Sequence, residues 1–424
     1  MIETTLDNGL TVLIRPTWSA PVVACAVGYR VGGRNEQPGR TGISHWVEHM
    51  TFSRTRGLKK GEIFRLTSRV GGSNNGYTTH DFTLYYETLP AQHLDLALRI
   101  EAERMAGALF DPDETERERG VILAERSGSE NSPHFLLSEK LTEAAFEHHP
   151  YRWSVIGRRE DLERLTRDEL YDHYRAGYAP ANAVLVVAGA VEPQAALEAV
   201  RRAFASVPAA TPSVATPPPD PEPREGRRVE LRRPGGVPYL TVCYRGPAFG
   251  HPDWYPLAVA DAVLSGGKSL SGNSGGYMGR TARLYQALVE TRLSTGAGSS
   301  LRCSVDPSFF STALTLRRGA DPARVEEMLL ACTEGLADAP PTPAELERAR
   351  VQSEAQAAYS RDGVTGQALG LTFFQLLGHW SDLDAHVRRF RAVEADEVAA
   401  AVRTYLRPER RTVGWFFPDE EATA

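Results

Sequence analysis

The sequence predicts an α+β protein of two similar domains, each a mixed or antiparallel sheet packed with helices. Three observations carry this. The chain has 424 residues, enough for two to four domains at roughly 100–200 residues each. A proline-dense stretch breaks it near the middle. Strand-like and helix-like segments follow one another in the same order on both sides of that break. The break, residues 208–226, reads PAATPSVATPPPDPEPREG. Proline at that density stops both helix and sheet, so the segment reads as an extended, semi-rigid linker between domains at 1–207 and 227–424.

In the first half, Asp7-Asn8-Gly9 lies between two apolar stretches and reads as a hairpin turn. Residues 20–31 are rich in β-branched and small residues, as in a buried strand. Residues 41–52 read as a helix, 74–88 as paired strands, and 91–109 and 113–128 as helices. AVLVVAGAV at 183–191 is a short apolar strand, and 192–206 an amphipathic helix. The second half repeats the order: strand 238–245, helix 253–265, strands near 296–317, helices 321–337 and 343–361. A faint echo joins the halves, because Cys25 precedes Gly28-Tyr29-Arg30 and Cys243 precedes Tyr244-Arg245.

Composition narrows the function. Forty-eight basic against 54 acidic residues give a net charge of -6, which argues against nucleic acid as the main partner, since phosphate binding needs a basic surface. No run of about 18 apolar residues is present to span a membrane. The N-terminal MIETTLDNGLTVLI lacks a basic stretch followed by an apolar core, so no secretory signal is expected. The cysteines, Cys25, Cys243, Cys303 and Cys332, are far apart and read as buried thiols. The cytoplasm is the expected compartment.

The chemistry concentrates in Gly42-Ile43-Ser44-His45-Trp46-Val47-Glu48-His49-Met50, which contains H-x-x-E-H. On a helix, His45 and His49 are four residues apart and project from one face. Their imidazoles can meet one Zn²⁺ at about 2.0–2.1 Å. Glu48 lies on the same side, where a carboxylate can take a proton from a water acidified by the metal. A catalytic zinc usually has three protein ligands, so a third was sought. In DETERERGVILAER, residues 113–126, Glu118 and Glu125 are two helical turns apart and can face one way. Val121, Ile122 and Leu123 would bury this helix, and an unpaired Glu125 at the end of that apolar run would be costly. Coordination would satisfy it, with Glu118 hydrogen-bonding a ligand or the water.

Together these segments resemble the pitrilysin, insulysin and mitochondrial-processing-peptidase family of zinc endopeptidases. H-x-x-E-H is followed by a glutamate 76 residues beyond His49, within an E-R-x-V-x-x-x-E phrase that runs from Glu118 to Glu125. Asn75-Gly76-Tyr77-Thr78, then Asp81-Phe82-Thr83, resembles the family's N-A-x-T substrate strand. His149-Pro150-Tyr151 and Val155-Ile156-Gly157 resemble its H-P-Y…G segment, and Tyr178 to Asn182 with the following strand its closing strand. The resemblance covers nearly the whole chain. It implies half of a clamshell, a zinc ion on His45, His49 and Glu125, Glu48 as general base and Glu118 as a supporting carboxylate. It also implies that Asn75, Gly76, Tyr77 and Thr78 form an edge strand reading peptide backbone.

One element departs from the family. Gly279-Arg280-Thr281-Ala282-Arg283-Leu284 to Leu288 matches its G-x-S-S-R-L-x-x-x-L segment. Self-sufficient members then carry an Arg and, seven residues later, a Tyr that hold the scissile carbonyl and its oxyanion. The matching positions are Val289 and Gly296, neither with a side-chain donor. Losing one such donor costs about 2.7–4 kcal/mol of barrier. The expectation is therefore a zinc endopeptidase of small or unfolded peptides that acts as the metal-bearing subunit of a heterodimer, with a homologous partner supplying the pair. The alternatives are a non-catalytic scaffold subunit, a self-sufficient homodimeric peptidase, or a zinc hydrolase of other substrates. Peptide clearance, leader removal and cofactor-precursor trimming all fit the sequence. The glycine-rich segment around Gly267-Lys268-Ser269 reads as a loop rather than a phosphate loop. His80 reads as a polar edge residue, Trp46 as core, and Glu101, Glu103 and Arg104 as a solvated helix face.

Overall fold

The protein is described from a computed structural model that covers residues 1–269 and 279–419, so residues 270–278 of the glycine-rich segment lie outside the described residues. The chain forms two compact units, each built on one sheet. The first sheet comprises β1 (Ile2–Thr5), β2 (Thr11–Pro16), β3 (Val22–Tyr29), β4 (Ser73–Thr78), β5 (Thr83–Pro90) and β6 (Ala183–Gly189), in the order β1-β2-β6-β3-β5-β4. β2 and β6 are parallel, and the other neighbours are antiparallel. β6 is buried along its whole length, which is why its sequence is a continuous apolar run rather than an alternation. β1 and β2 pair as a hairpin through the Asp7-Asn8-Gly9 turn, where Gly9 takes φ +92 as the turn demands.

The second sheet comprises β7 (Arg227–Arg233), β8 (Tyr239–Arg245), β9 (Ser294–Leu301), β10 (Phe309–Leu316) and β11 (Arg411–Pro418), in the order β7-β11-β8-β10-β9. Here β7 and β11 are parallel and the other pairs antiparallel. This is the pattern β2-β6-β3-β5-β4 again. The repeat expected from the sequence is thus present in the topology, and Tyr29 and Tyr244 occupy equivalent strands.

In chain order the helices are α1 (Ile43–Thr51), α2 (Glu62–Arg69), α3 (Leu94–Ala106), α4 (Pro112–Glu130), α5 (Pro133–Ala145), α6 (Arg159–Arg164) and α7 (Arg167–Gly177). They continue with α8 (Pro193–Phe204), α9 (Trp254–Ser265), α10 (Pro322–Glu334), α11 (Pro343–Tyr359), α12 (Val364–Leu377), α13 (Asp382–Ala392) and α14 (Ala395–Tyr405). None is long and apolar enough to cross a membrane. Residues 208–226 hold no helix or strand.

The units are not the two contiguous halves that the linker suggested. Residues 129–152 belong to the second unit and 361–380 to the first. The physical reason is sheet coverage. On β3, Val23, Cys25, Val27 and Tyr29 point into the core of the first unit, leaving Ala24, Ala26 and Gly28 on the other face. α12 packs there, so closely that a Cβ on Gly28 would lie 2.6 Å from Leu376. The second sheet is covered by α5 in the same manner, with Gly414 facing Leu141. Each half of the chain thus contributes one helix to the other half's sheet.

Candidate metal centre

α1 starts where it does because of two residues before it. Gly42 has φ +84, and a Cβ there would sit 2.5 Å from the Ile156 carbonyl oxygen. Only glycine allows the chain to turn into the helix against that backbone. Glu36 then meets the helix start. Its Oε2 accepts from Gly42 N at 2.9 Å and Trp153 Nε1 at 3.2 Å, and its Oε1 accepts from Ser44 N at 3.0 Å. A carboxylate at a helix N-terminus satisfies free N–H groups and opposes the helix dipole. Burial nonetheless pushes its pKa up to about 7 against these hydrogen bonds.

α1 then presents His45, Glu48 and His49, and α4 presents Glu118 and Glu125. His45 Nε2 lies 3.8 Å from Glu125 Oε1, and His49 Nε2 lies 3.6 Å from Glu125 Oε2. Ligand atoms of His45, His49 and Glu125 all fall within 4.8 Å of one another, the one such group among the described residues. His49 Nδ1 is 2.8 Å from Glu118 Oε1. That carboxylate accepts the Nδ1 proton, so the Nε2 lone pair is left facing Glu125. Two imidazole nitrogens and one carboxylate oxygen, converging at this range, fit Zn²⁺ by donor type and number.

Electrostatics separate the two histidines. Burial, then the neighbouring His49 charge, push His45 down to about 3, which keeps it neutral and able to donate a lone pair. Burial also pulls on His49, but its hydrogen bond to Glu118 and the charges of Glu48, Glu118 and Glu125 outweigh this, and its pKa rises. Glu118 is held below its usual range by the His49 hydrogen bond. Glu48, only 7% exposed, is pushed up by burial against the opposing effects of His49, Thr78 and Arg104. Its Oε2 accepts from Thr78 Oγ1 at 3.0 Å. Asn75, Gly76, Tyr77 and Thr78 lie on β4, the edge strand beside α1.

The nine residues expected to hold the metal, move the proton or bind the peptide therefore all lie in the first unit, on α1, α4 and β4. One argument for Glu125 fails. α4 buries only Glu114, Thr115, Ile122 and Arg126, Val121 is half exposed, and the Glu125 side chain is 48% exposed. Glu125 stands on convergence with the two histidines, not on the cost of burial. A second reading is also overturned. Glu101 and Arg104 are not a solvated face but wholly buried, ion-paired with each other and close to buried Glu87. The Arg104 guanidinium lies over both the Phe52 and Tyr85 rings, Phe52 being the residue that follows α1. Burial, then the Glu101 charge, push the Glu87 carboxyl well up. The signal available was Glu87 itself, the one charge inside an otherwise uncharged, mostly buried strand. Trp46 is wholly buried, as expected of a core residue, and His80 contacts the Trp153 carbonyl oxygen. The Glu36 cap was not foreseen.

In the second unit, Val289 ends a π-helical turn, Tyr285–Val289, and is partly buried against that unit's core. Gly296 lies on the edge strand β9, opposite Thr315. Arg283, the nearest arginine of the matched segment, is committed to Glu345 and to the Ala339 and Pro340 carbonyls.

Comparison with known proteins agrees with this architecture. Residues 11–159 match the family described as insulinase (peptidase family M16), and residues 164–353 match the peptidase M16 inactive domain. The chain is 27% identical to the zinc protease PqqE of Helicobacter pylori over 98% of this chain and 92% of that one. It is 28% identical to the probable mitochondrial-processing peptidase subunit beta of Arabidopsis thaliana, over 62% of this chain and 50% of that one. Among solved structures, a protease from Helicobacter pylori superposes with a TM-score of 0.91 at 26% identity, covering 98% of this chain and 99% of the other.

Proposed function

The chain belongs to peptidase family M16, the insulinase family, in its short two-domain form, and on that premise we propose that it is a zinc metalloendopeptidase of small or unfolded peptides. The observation that carries the proposal is the convergence of His45, His49 and Glu125 with Glu48 on the same helix face. Zn²⁺ held by His45, His49 and Glu125 would polarise the scissile carbonyl and acidify water. Glu48 would take the proton of the attacking water and return it to the leaving amine. Burial raises its pKa above the usual carboxylate value, the direction that suits a group which both takes up and gives back a proton. Glu118 would hold His49 in the tautomer that keeps Nε2 free. The open edge of β4 would align extended peptide backbone, which favours peptides over other hydrolysable substrates.

The second part of the proposal is a homologous partner chain. Val289 and Gly296 offer no side-chain donor where an Arg/Tyr pair would hold the carbonyl oxygen. The Arabidopsis relative is named as one subunit of a larger peptidase, which supports a heterodimer. A cytoplasmic setting accords with four free thiols, two of them buried. The test is cleavage of mixed peptides by the zinc-loaded chain alone and by the assembly isolated from its host. Turnover by the assembly but not by the chain alone is expected. Full turnover by a monomer or homodimer would remove the partner, and none in either state would favour the scaffold reading.

A further inference from the structure

On the peptidase reading above, we propose that Thr78 is a positioning residue: its hydroxyl fixes the Glu48 carboxylate while its backbone, on the free edge of β4, receives the peptide. The register supplies the first half of the argument. Thr79 N donates to Phe82 O at 2.8 Å and closes the β4–β5 hairpin. Antiparallel pairs alternate between hydrogen-bonded and non-hydrogen-bonded. Asn75 and Tyr77, opposite Tyr86 and Leu84, are therefore the bonded positions, and Gly76 and Thr78, opposite Tyr85 and Thr83, are not. The N–H and C=O groups of Gly76 and Thr78 thus point away from β5, toward the open edge. Gly76 N is meanwhile occupied by its neighbour's Asn75 Oδ1 at 2.9 Å, a local contact that an added strand would replace.

The side chains supply the second half. Gly76 and Thr78 share one face of β4, and that face is turned to α1. A Cβ on Gly76 would sit 3.0 Å from the Phe52 ring, and Thr78 Oγ1 reaches Glu48 Oε2. Thr83 Oγ1 lies 3.4 Å from Thr78 Oγ1 but gives its one hydrogen to the Val31 carbonyl at 2.9 Å. The single hydrogen of Thr78 is thereby left for Glu48, whose ionised carboxylate can only accept. Among the described residues Thr78 is the only hydrogen-bond partner of the Glu48 carboxylate, the Thr51 hydroxyl going to the Glu48 backbone carbonyl. One residue thus ties the strand that would carry the peptide to the group that would move the proton.

The test uses the zinc-loaded protein with its partner and three variants: Thr78→Val, Thr78→Ser and Glu48→Gln. Thr78→Val keeps the branched shape without the hydroxyl. Its kcat should fall about tenfold to a hundredfold with KM within about twofold of wild type, and Thr78→Ser should restore most of the loss. In the Glu48→Gln background, adding Thr78→Val should leave the Kd of a fluorescein-labelled substrate peptide within about twofold. An unchanged kcat in Thr78→Val, or a KM or Kd raised tenfold, would overturn the inference and make Thr78 a peptide contact or a bystander. Crystal structures of wild type and Thr78→Val with zinc bound decide the point without turnover. Glu48 should leave its wild-type rotamer in the variant, and a Glu48 that stays in place sinks the inference. If wild type cleaves nothing while Glu48 does move, the peptidase reading fails and the positioning contact stands.

Discussion

Glu118 reaches the metal centre only through His49. Because its carboxylate accepts the Nδ1 proton at 2.8 Å, it sets which nitrogen faces Glu125 without itself joining the ligand group. Glu118→Gln should therefore lower zinc affinity about tenfold to a hundredfold, measured by competition with a chromophoric chelator. The melting temperature of the zinc-free variant should hardly move, since the side chain packs no core. An unchanged zinc affinity would show that His49 keeps its tautomer by other means. That Glu118 and Glu125 can face one way was legible in the sequence, because residues seven apart on a helix share a face. The Thr78 contact was not, because it depends on how the edge strand sits against α1, which no spacing along the chain reveals.

At the scale of single elements, α1 is a short helix whose position rests on what precedes it. Gly42→Ala would place a Cβ 2.5 Å from a backbone oxygen at φ +84 and should cost about 3 kcal/mol, read as a lower midpoint in urea, together with weaker zinc binding. A neutral effect would mean that the Ile156 segment can yield. Glu36 adds a pH signature. Its folded pKa of about 7 exceeds the usual carboxylate value of about 4.3, so folding favours the protonated form. Its contribution to stability is full below the unfolded value and is lost as pH rises toward 7. The stability of wild type relative to Glu36→Gln should accordingly decline between pH 5 and pH 8 in urea titrations. A difference that stayed flat or grew would contradict the assignment. Most long elements could be read from apolar runs and helical spacing, as with β3, β6 and α9. α2, α5, α6, α7, α12, α13, α14, β7 and β11 escaped, and for a buried helix such as α12 the reason is that it is apolar on most sides and loses the period that marks an amphipathic one.

Across the whole molecule, the proline-rich stretch does mark a segment without regular structure, but it does not divide the chain into its two units, because residues 129–152 belong to the second and 361–380 to the first. The first sheet needs α12 from the second half of the chain to cover Ala24, Ala26 and Gly28. A fragment of residues 1–226 should thus expose apolar sheet surface. It should bind ANS and lack a cooperative urea transition, and the 361–380 peptide added in trans should restore one. A cooperatively folded 1–226 fragment would show that the first unit is independent. The exchange could not be read from sequence because the two helices lie far along the chain from the strands they cover. The repeat was legible as a recurring order of segments and an echo around Cys25 and Cys243, and the matched strand orders make it plain.

The central claim is that this chain carries a working zinc peptidase centre with Glu48 as its base. The most direct test is zinc content and peptide turnover measured side by side on the assembled wild-type protein and its Glu48→Gln variant. One zinc per chain in both, with turnover reduced by about a hundredfold or more in the variant, is the predicted result. A variant that keeps both its zinc and its turnover would contradict the account.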